Sequence, residues 1–297
     1  MRLQEFGTSG IQVSRVGLGC NNFGSRLDLE GTRAVVEATL EAGITFLDTA
    51  DVYGGGESER FLGEVLHGRR EQVVLATKFG FAGGGPGAPG SRDFIRRSLD
   101  ASLERLRTDY VDVYYYHRPD GVTPMADTIG ALAELVEEGR VRAIGISNVT
   151  VEQLDEAVRA GSVAAVQNEY SLLDRTVEAD VLPRCHELGA GFVPYFPLAS
   201  GLLTGKYLRG EAPPPGSRLE GRPERLTDEV FDRIEALEER ARAYGRPLLE
   251  LAIAALASEP GVASVIAGAT NPAQVRENAA AADWELDEQQ RDELRRI

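Results

Sequence analysis

Four residues in this sequence could together protonate a carbonyl oxygen: Asp48, Tyr53, Lys78 and His117. A carbonyl carbon that accepts a hydride leaves negative charge on its oxygen, and a nearby acid must neutralise it. Tyr53 could serve, but a free phenol has a pKa of ~10, too high for efficient proton transfer near neutrality. An adjacent ammonium favours the phenolate, so Lys78 is expected to lower the Tyr53 pKa. A drop of ~2 units corresponds to about 2.7 kcal/mol. Asp48 would hold Lys78 charged and oriented, and His117 would direct the carbonyl oxygen. Singly, each residue type is more often structural than functional; the argument rests on their joint placement. Lys78 stands out further, because Lys78 and Lys206 are the only lysines among 32 basic residues, and an amine can lose a proton where a guanidinium cannot.

The elements that must position these residues alternate along the chain. Short apolar runs predict strands over 16–19, 45–47, 73–77, 111–116, 143–146, 163–166, 192–194 and 262–267. Longer amphipathic runs predict helices over 32–42, 58–67, 92–106, 125–138, 151–160, 177–188, 247–258 and 272–282. Thr150, Asn271 and Asp287 are suitable N-caps. Extra helical runs cover 227–244 and 287–297. Eight strand–helix alternations in a chain of 297 residues predict an α/β fold, one (β/α)8 barrel spanning 1–297 with extra helices and long loops at its C-terminal rim. The alternative, an open doubly wound sheet, lacks its G-x-G-x-x-G fingerprint: Gly17 and Gly19 fit, but Asn22 holds the third place. The stretch 201–207 is one residue short of a P-loop. Loops 80–90 and 205–225, rich in Gly and Pro, read either as surface connections or as lids.

In a parallel barrel the site lies at the carboxyl ends of the strands. Asp48, Lys78, His117, Ser147 with Asn148, Gln167 and Tyr195 follow six consecutive predicted strands, a concentration that packing alone does not require. The balance of 47 acidic against 32 basic residues, net −15, argues against nucleic-acid or anionic-membrane partners. No apolar run has membrane length and the N-terminus has no signal-peptide core. Cys20 and Cys185 suggest no disulfide framework, and the scattered histidines suggest no metal site. The expected compartment is the cytoplasm.

Taken in order, the motifs resemble those of the aldo-keto reductases. Asp48 and Tyr53 match the family's Asp-x4-Tyr, Thr77-Lys78 and Tyr116-His117 its lysine and histidine blocks, and the run 139–148 its most recognisable segment; Gln167-Asn168-Glu169-Tyr170 and Tyr195-Phe196-Pro197-Leu198 follow. The resemblance implies NAD(P)H-dependent reduction of small-molecule aldehydes and ketones, with Asp48, Tyr53, Lys78 and His117 as catalytic residues and Tyr53 as general acid. It implies that Ser147, Asn148 and Gln167 hold a nicotinamide carboxamide and that Tyr195 stacks on the ring. Leu198, Ser200 and Gly201 would line the pyrophosphate, with Phe196 and Pro197 also at the cofactor and Lys206 either reaching the pyrophosphate or sitting at the loop base, and Gly268, Ala269, Thr270, Gln274 and Asn278 would match the adenosine end. NADP(H) is the expected cofactor, although Thr270 stands where a basic residue often grips the 2′-phosphate, leaving Arg276 as the nearest cation there.

Candidate substrate walls are Asn21, Phe23, Phe79, Phe81 and Arg118. Arg118 either makes the pocket welcoming to hydroxylated or anionic carbonyl compounds or pairs with Asp120 on the rim. Competing readings are an NAD-dependent aldose or alcohol dehydrogenase, a Schiff-base aldolase on Lys78, and a nicotinamide-binding redox-sensing subunit with little turnover. An ammonium paired with Asp48 is a poor nucleophile, which counts against the aldolase.

Overall fold

The computed structural model describes residues 1–81 and 87–297; part of the Gly-rich stretch 80–90 therefore lies outside the described residues. The chain opens with an antiparallel pair, β1 (Leu3–Glu5) and β2 (Gln12–Ser14). Eight parallel strands follow: β3 (Val16–Gly19), β4 (Phe46–Asp48), β5 (Val74–Phe79), β6 (Val111–Tyr116), β7 (Val141–Ser147), β8 (Ala165–Gln167), β9 (Gly191–Phe192) and β10 (Val265–Gly268). Their spatial order is sequential from β3 to β9, with β10 beside β3. The ends meet where Phe192 donates to Gly261 O and Ala263 donates to Phe192 O, both at 2.8 Å, closing the barrel.

Helices alternate with the strands: α1 (Leu29–Glu41), α2 (Glu57–Val65), α3 (Arg92–Leu106), α4 (Met125–Glu137), α5 (Val151–Ala160), α6 (Val181–Leu188), α7 (Asp228–Ala243), α8 (Leu248–Ala257), α9 (Pro272–Ala280) and α10 (Glu288–Arg295). Thr150, Asn271 and Asp287 cap α5, α9 and α10 through their side chains, as the sequence predicts. α7 and α10 are the extra helices.

The core has two layers. Strand side chains facing outward, such as Leu75, Tyr114 and Ile144, pack against the helices. Those facing inward, including Phe46, Ala76, Val113, Tyr115 and Ala143, fill the barrel, and Phe6, Ile11 and Val13 of the N-terminal hairpin plug its lower end. Inside, Tyr115 takes the space beside Gly145: a Cβ on that glycine would lie 2.3 Å from the ring. A third cluster joins α7 and α8 to the loop 205–225 through buried Tyr207 and Leu219. That loop is thus anchored at two points, and it reaches over the barrel mouth.

Candidate active site

Strands β4, β5, β7 and β8 extend one or two residues beyond their predicted carboxyl ends, so Asp48, Lys78, Ser147 and Gln167 lie within them, while His117 directly follows β6. Strand alternation sets which side chains face the site. In β5, Ala76 and Lys78 point inward; Thr77 and Phe79 point outward. Thr77 Oγ1 donates to buried Glu59 of α2 at 2.5 Å, and Glu59 is also held by Arg105 of α3. This buried bridge fixes α2, and with it the segment carrying Tyr53, against β5.

Tyr53 stands at the start of a run of three glycines, Gly54 to Gly56, with φ of 58°, 67° and 94°. This left-handed path, costly for residues with a Cβ, turns the chain directly into α2. Asp51 N donates to Lys78 O at 3.1 Å and Ser58 Oγ to Cys20 O at 3.0 Å, tying the loop at both ends.

Lys78 and Asp48, both essentially without solvent exposure, form an ion pair; Lys78 Nζ also donates to Thr49 O at 2.9 Å. Gln167 Nε2 donates to the other Asp48 oxygen, Oδ2, at 2.9 Å. Burial works to discharge the Lys78 ammonium, but the Asp48 carboxylate and the Tyr53 phenol outweigh it, and its pKa is raised. Nζ lies 5.1 Å from the Tyr53 ring centroid. The expected fall in the Tyr53 pKa is corrected here: burial raises it more than Lys78 lowers it, and Asp48 adds to the rise. Tyr53 therefore holds its proton across the physiological range.

The His117 ring meets the Tyr53 ring edge-on at 6.1 Å and the Phe81 ring at 4.9 Å. Its main chain is pinned from both sides, N donating to Phe79 O at 2.8 Å and O accepting from Asn148 Nδ2 at 2.9 Å. Burial, then the charges of Lys78 and Arg118, push its pKa down to about 3, so the imidazole is neutral. Nδ1 is buried without a hydrogen-bond partner among the described residues, which leaves the ring's other nitrogen for the cleft.

A cleft of about 860 Å³ runs over the barrel mouth, within the roughly 300–1,000 Å³ typical of ligand pockets. Asp48, Tyr53 and His117 line one end with Ser147, Asn148, Gln167 and Tyr195; Lys78 lies behind them. Ser147 Oγ donates to Gln167 O at 2.6 Å, and Tyr195 Oη to Asn148 Oδ1 at 2.7 Å. The wall continues through Phe196, Pro197, Leu198, Ser200, Gly201 and Lys206 to Gly268, Thr270, Gln274 and Asn278. Phe196, Ala199, Ser200 and Gly201 all have positive φ, from 46° to 93°, a local concentration of backbone strain of the kind found at ligand clamps. The Lys206 amine lies so close to Gly201 that a Cβ there would come within 2.6 Å of it.

Several sequence expectations are corrected. Phe79 is buried outside the barrel, stacked on Tyr116 at 5.2 Å, because its neighbour Lys78 takes the inward position. Phe23 is likewise buried in the outer core. Neither lines the cleft, whereas Asn21, Phe81 and Arg118 do. The Ala269 side chain is buried in the outer core and its carbonyl accepts from Asn22 Nδ2 at 3.1 Å. Arg276 is exposed and turned towards Glu41 of α1, at 3.8 Å. Arg118 does not pair with Asp120, whose carboxylate accepts from Gly90 N, Val122 N and Thr123.

Two cations in the cleft went unnoticed in the sequence, Arg26 and Arg218. Arg218 donates to Asn21 Oδ1 and Asn22 Oδ1 at 3.1 and 3.0 Å. It comes from the loop 205–225, and the only signal for it was that loop's reading as a lid.

Comparison with known proteins agrees with this geometry. The model of the aldo/keto reductase family matches residues 15–297. A probable voltage-gated potassium channel subunit beta of Oryza sativa subsp. japonica is 37% identical, over 95% of this chain and 92% of its own. The L-glyceraldehyde 3-phosphate reductase of Escherichia coli K12 is 35% identical, over 95% and 87%. The solved holo form of an aldo-keto reductase from Bacillus halodurans superposes with a TM-score of 0.86 at 34% identity, covering 100% of this chain and 96% of that one. A buried Lys–Asp pair behind a tyrosine at the mouth of an eight-stranded barrel, and a family match over nearly the whole sequence, lead to one conclusion: the chain belongs to the aldo/keto reductase family.

Proposed function

We propose that Asp48, Tyr53, Lys78 and His117 act as one unit in the NAD(P)H-dependent reduction of a small-molecule aldehyde or ketone. The observation that carries this reading is the buried Lys78–Asp48 pair set behind Tyr53, opposite a neutral His117. A bound reduced nicotinamide supplies the hydride. The neutral imidazole of His117 donates a hydrogen bond to the carbonyl oxygen and fixes its direction. Tyr53 gives its proton to that oxygen as negative charge develops, and the Lys78 ammonium stabilises the phenolate left behind. Asp48 keeps that ammonium charged, and solvent then returns the proton to Tyr53.

The cleft suits a dinucleotide. Amide and hydroxyl groups of Ser147, Asn148 and Gln167 offer the donors and acceptors that a carboxamide needs, and Tyr195 offers an aromatic face. For the phosphates, Lys206, Arg26 and Arg218 line the cleft without a carboxylate partner among the described residues. Arg218 bonds Asn22, whose amide bonds Ala269 O next to Thr270; this closeness to the adenosine end favours NADP(H) and gives the 2′-phosphate a cation in place of Arg276. The buried, unpaired Cys20 and Cys185 suit a reducing compartment, the cytoplasm in our reading. Among the described residues no helix is long and apolar enough to cross a membrane.

Tyr53→Phe tests the assignment. Reduction of a simple aldehyde, followed by consumption of the reduced cofactor, is expected to fall about 10²–10⁴-fold while the variant still binds dinucleotide. Near-normal turnover would remove Tyr53 from its role. Dinucleotide binding with no turnover by the wild type would favour the redox-sensing subunit instead.

A further inference from the structure

We propose that Arg118 selects the substrate by docking an anionic group, a carboxylate or a phosphate, of a short carbonyl compound whose oxygen sits at Tyr53 and His117. This rests on the reductase reading above and adds the class of compound reduced.

The argument starts from unpaired charge. The protein carries a net charge of −15, and most of its surface arginines have a carboxylate within reach. Arg92 and Arg96 share Glu134, Arg209 meets Asp228, Asp232 and Glu235, and Arg184 meets Asp155 and Glu187. Arg118 has no such partner among the described residues. It lies instead against an aromatic ring, the guanidinium carbon 5.7 Å from the Phe81 centroid. Two carboxylates that could have taken it, Asp120 and Asp48, are otherwise engaged. Asp120 is saturated by backbone N–H groups and Thr123, which hold its carboxyl down to about 2 against the effect of burial. Asp48 belongs to Lys78 and Gln167. Glu169, the other acid on this side of the cleft, forms no ion pair with Arg118 among the described residues; burial and Asp174 raise its pKa and Arg225 opposes them.

Position gives the charge its purpose. Arg118 directly follows His117, whose main chain is fixed by Phe79 O and Asn148 Nδ2. The Phe81 ring neighbours both side chains, its centroid 4.9 Å from that of the imidazole and 5.7 Å from the guanidinium carbon. The Arg118 charge is felt by His117 and by Tyr195, the residues of the proposed nicotinamide end. Arg218, by contrast, is bound to Asn21 and Asn22 on the way to the adenosine end. The cleft cations thus divide: Arg218 lies towards the adenosine end, and Arg118 faces the place where the carbonyl must lie. A fork of planar donors that is already part-covered by an aromatic ring suits a carboxylate or phosphate oxygen pair. With both side chains against one ring, a chain of a few atoms spans from the carbonyl to the anion.

The test uses the full-length protein with its reduced cofactor and two matched pairs of compounds. One pair is 4-oxobutanoate and butanal; the other is glyceraldehyde 3-phosphate and glyceraldehyde. The wild type should favour the charged member of at least one pair in kcat/KM by about tenfold or more, as a hydrogen-bonded charge pair gives, and the favoured pair tells carboxylate from phosphate. Arg118→Met should erase that preference, chiefly through a higher KM for the charged compound, and Arg118→Lys should restore part of it. Arg118 is exposed, so the variants should fold, and each neutral compound serves as an internal control. Equal use of charged and neutral members by the wild type, or a preference that survives Arg118→Met, overturns the inference alone. If none of the four compounds is reduced, the reductase reading falls and takes the inference with it.

Discussion

Gln167 and Asp48, far apart in sequence, are joined across the barrel mouth by a 2.9 Å hydrogen bond from Nε2 to Oδ2. The bond couples two parts of the cleft that the sequence presents as separate: the proton-handling residues and the amides proposed to hold a nicotinamide. Asp48 accepts from Lys78 on one oxygen and from Gln167 on the other, so the carboxylate cannot turn without breaking one of them.

Replacing Gln167 by Leu should therefore do two things. It strands a buried carboxylate oxygen, which should cost about 1.5–3 kcal/mol of stability, the range for hydrogen bonds to charged groups. It should also weaken dinucleotide binding. Denaturant unfolding and a fluorescence titration read the two effects, and no change in either would make the bond incidental.

His117 should make stability depend on pH in a predictable direction. Its imidazole is pushed by burial, Lys78 and Arg118 down to about 3 in the folded protein, against ~6.5 in the unfolded chain. The unfolded state takes up the proton first, so this contribution is complete above pH ~6.5 and is lost as pH falls towards 3. Asp51 acts in the opposite sense: burial, with Glu59 adding to it, lifts its carboxyl to about 7, so its contribution is lost as pH rises to that value. The comparison must therefore be with a variant. Between pH 7 and pH 5, wild type should lose roughly 1–2 kcal/mol more than His117→Phe. Equal losses would show that the imidazole does not sit neutral in the folded state.

Gly145→Ala tests the barrel interior. The new methyl would lie 2.3 Å from the Tyr115 ring, an overpacking expected to cost about 1–3 kcal/mol. Trimming the ring in the double variant Gly145→Ala, Tyr115→Leu should give a coupling energy well away from zero. Additive losses would mean that the methyl is accommodated elsewhere.

The barrel and its polar rim were legible because the hydrophobic period alternates strongly and because Asp48, Lys78, His117, Asn148, Gln167 and Tyr195 stand at the ends of those periods. What failed has definite causes. Phe79 adjoins Lys78 in sequence but does not wall the pocket, because neighbours in a strand face opposite ways. Arg276 was chosen for its place in α9, but an exposed side chain on a helix follows its nearest carboxylate, here Glu41. Arg218 was invisible because its position depends on Tyr207 and Leu219 being buried against α7 and α8, a tertiary effect that loop composition does not express. The hairpin of β1 and β2 escaped notice because each strand has only three residues, too few to show a period.

That hairpin and the ring closure bear on how the chain is made. β3 finds its second neighbour only in β10, and Gln4 reaches Ala263 O at 2.7 Å. During synthesis, the earliest strand waits with one edge bare until nearly all the rest has left the ribosome. Pairings so distant in sequence form slowly, and an exposed strand edge invites association with other chains in the meantime. The closed ring that leaves the finished barrel without an edge is also what keeps a strand edge of the nascent chain bare the longest.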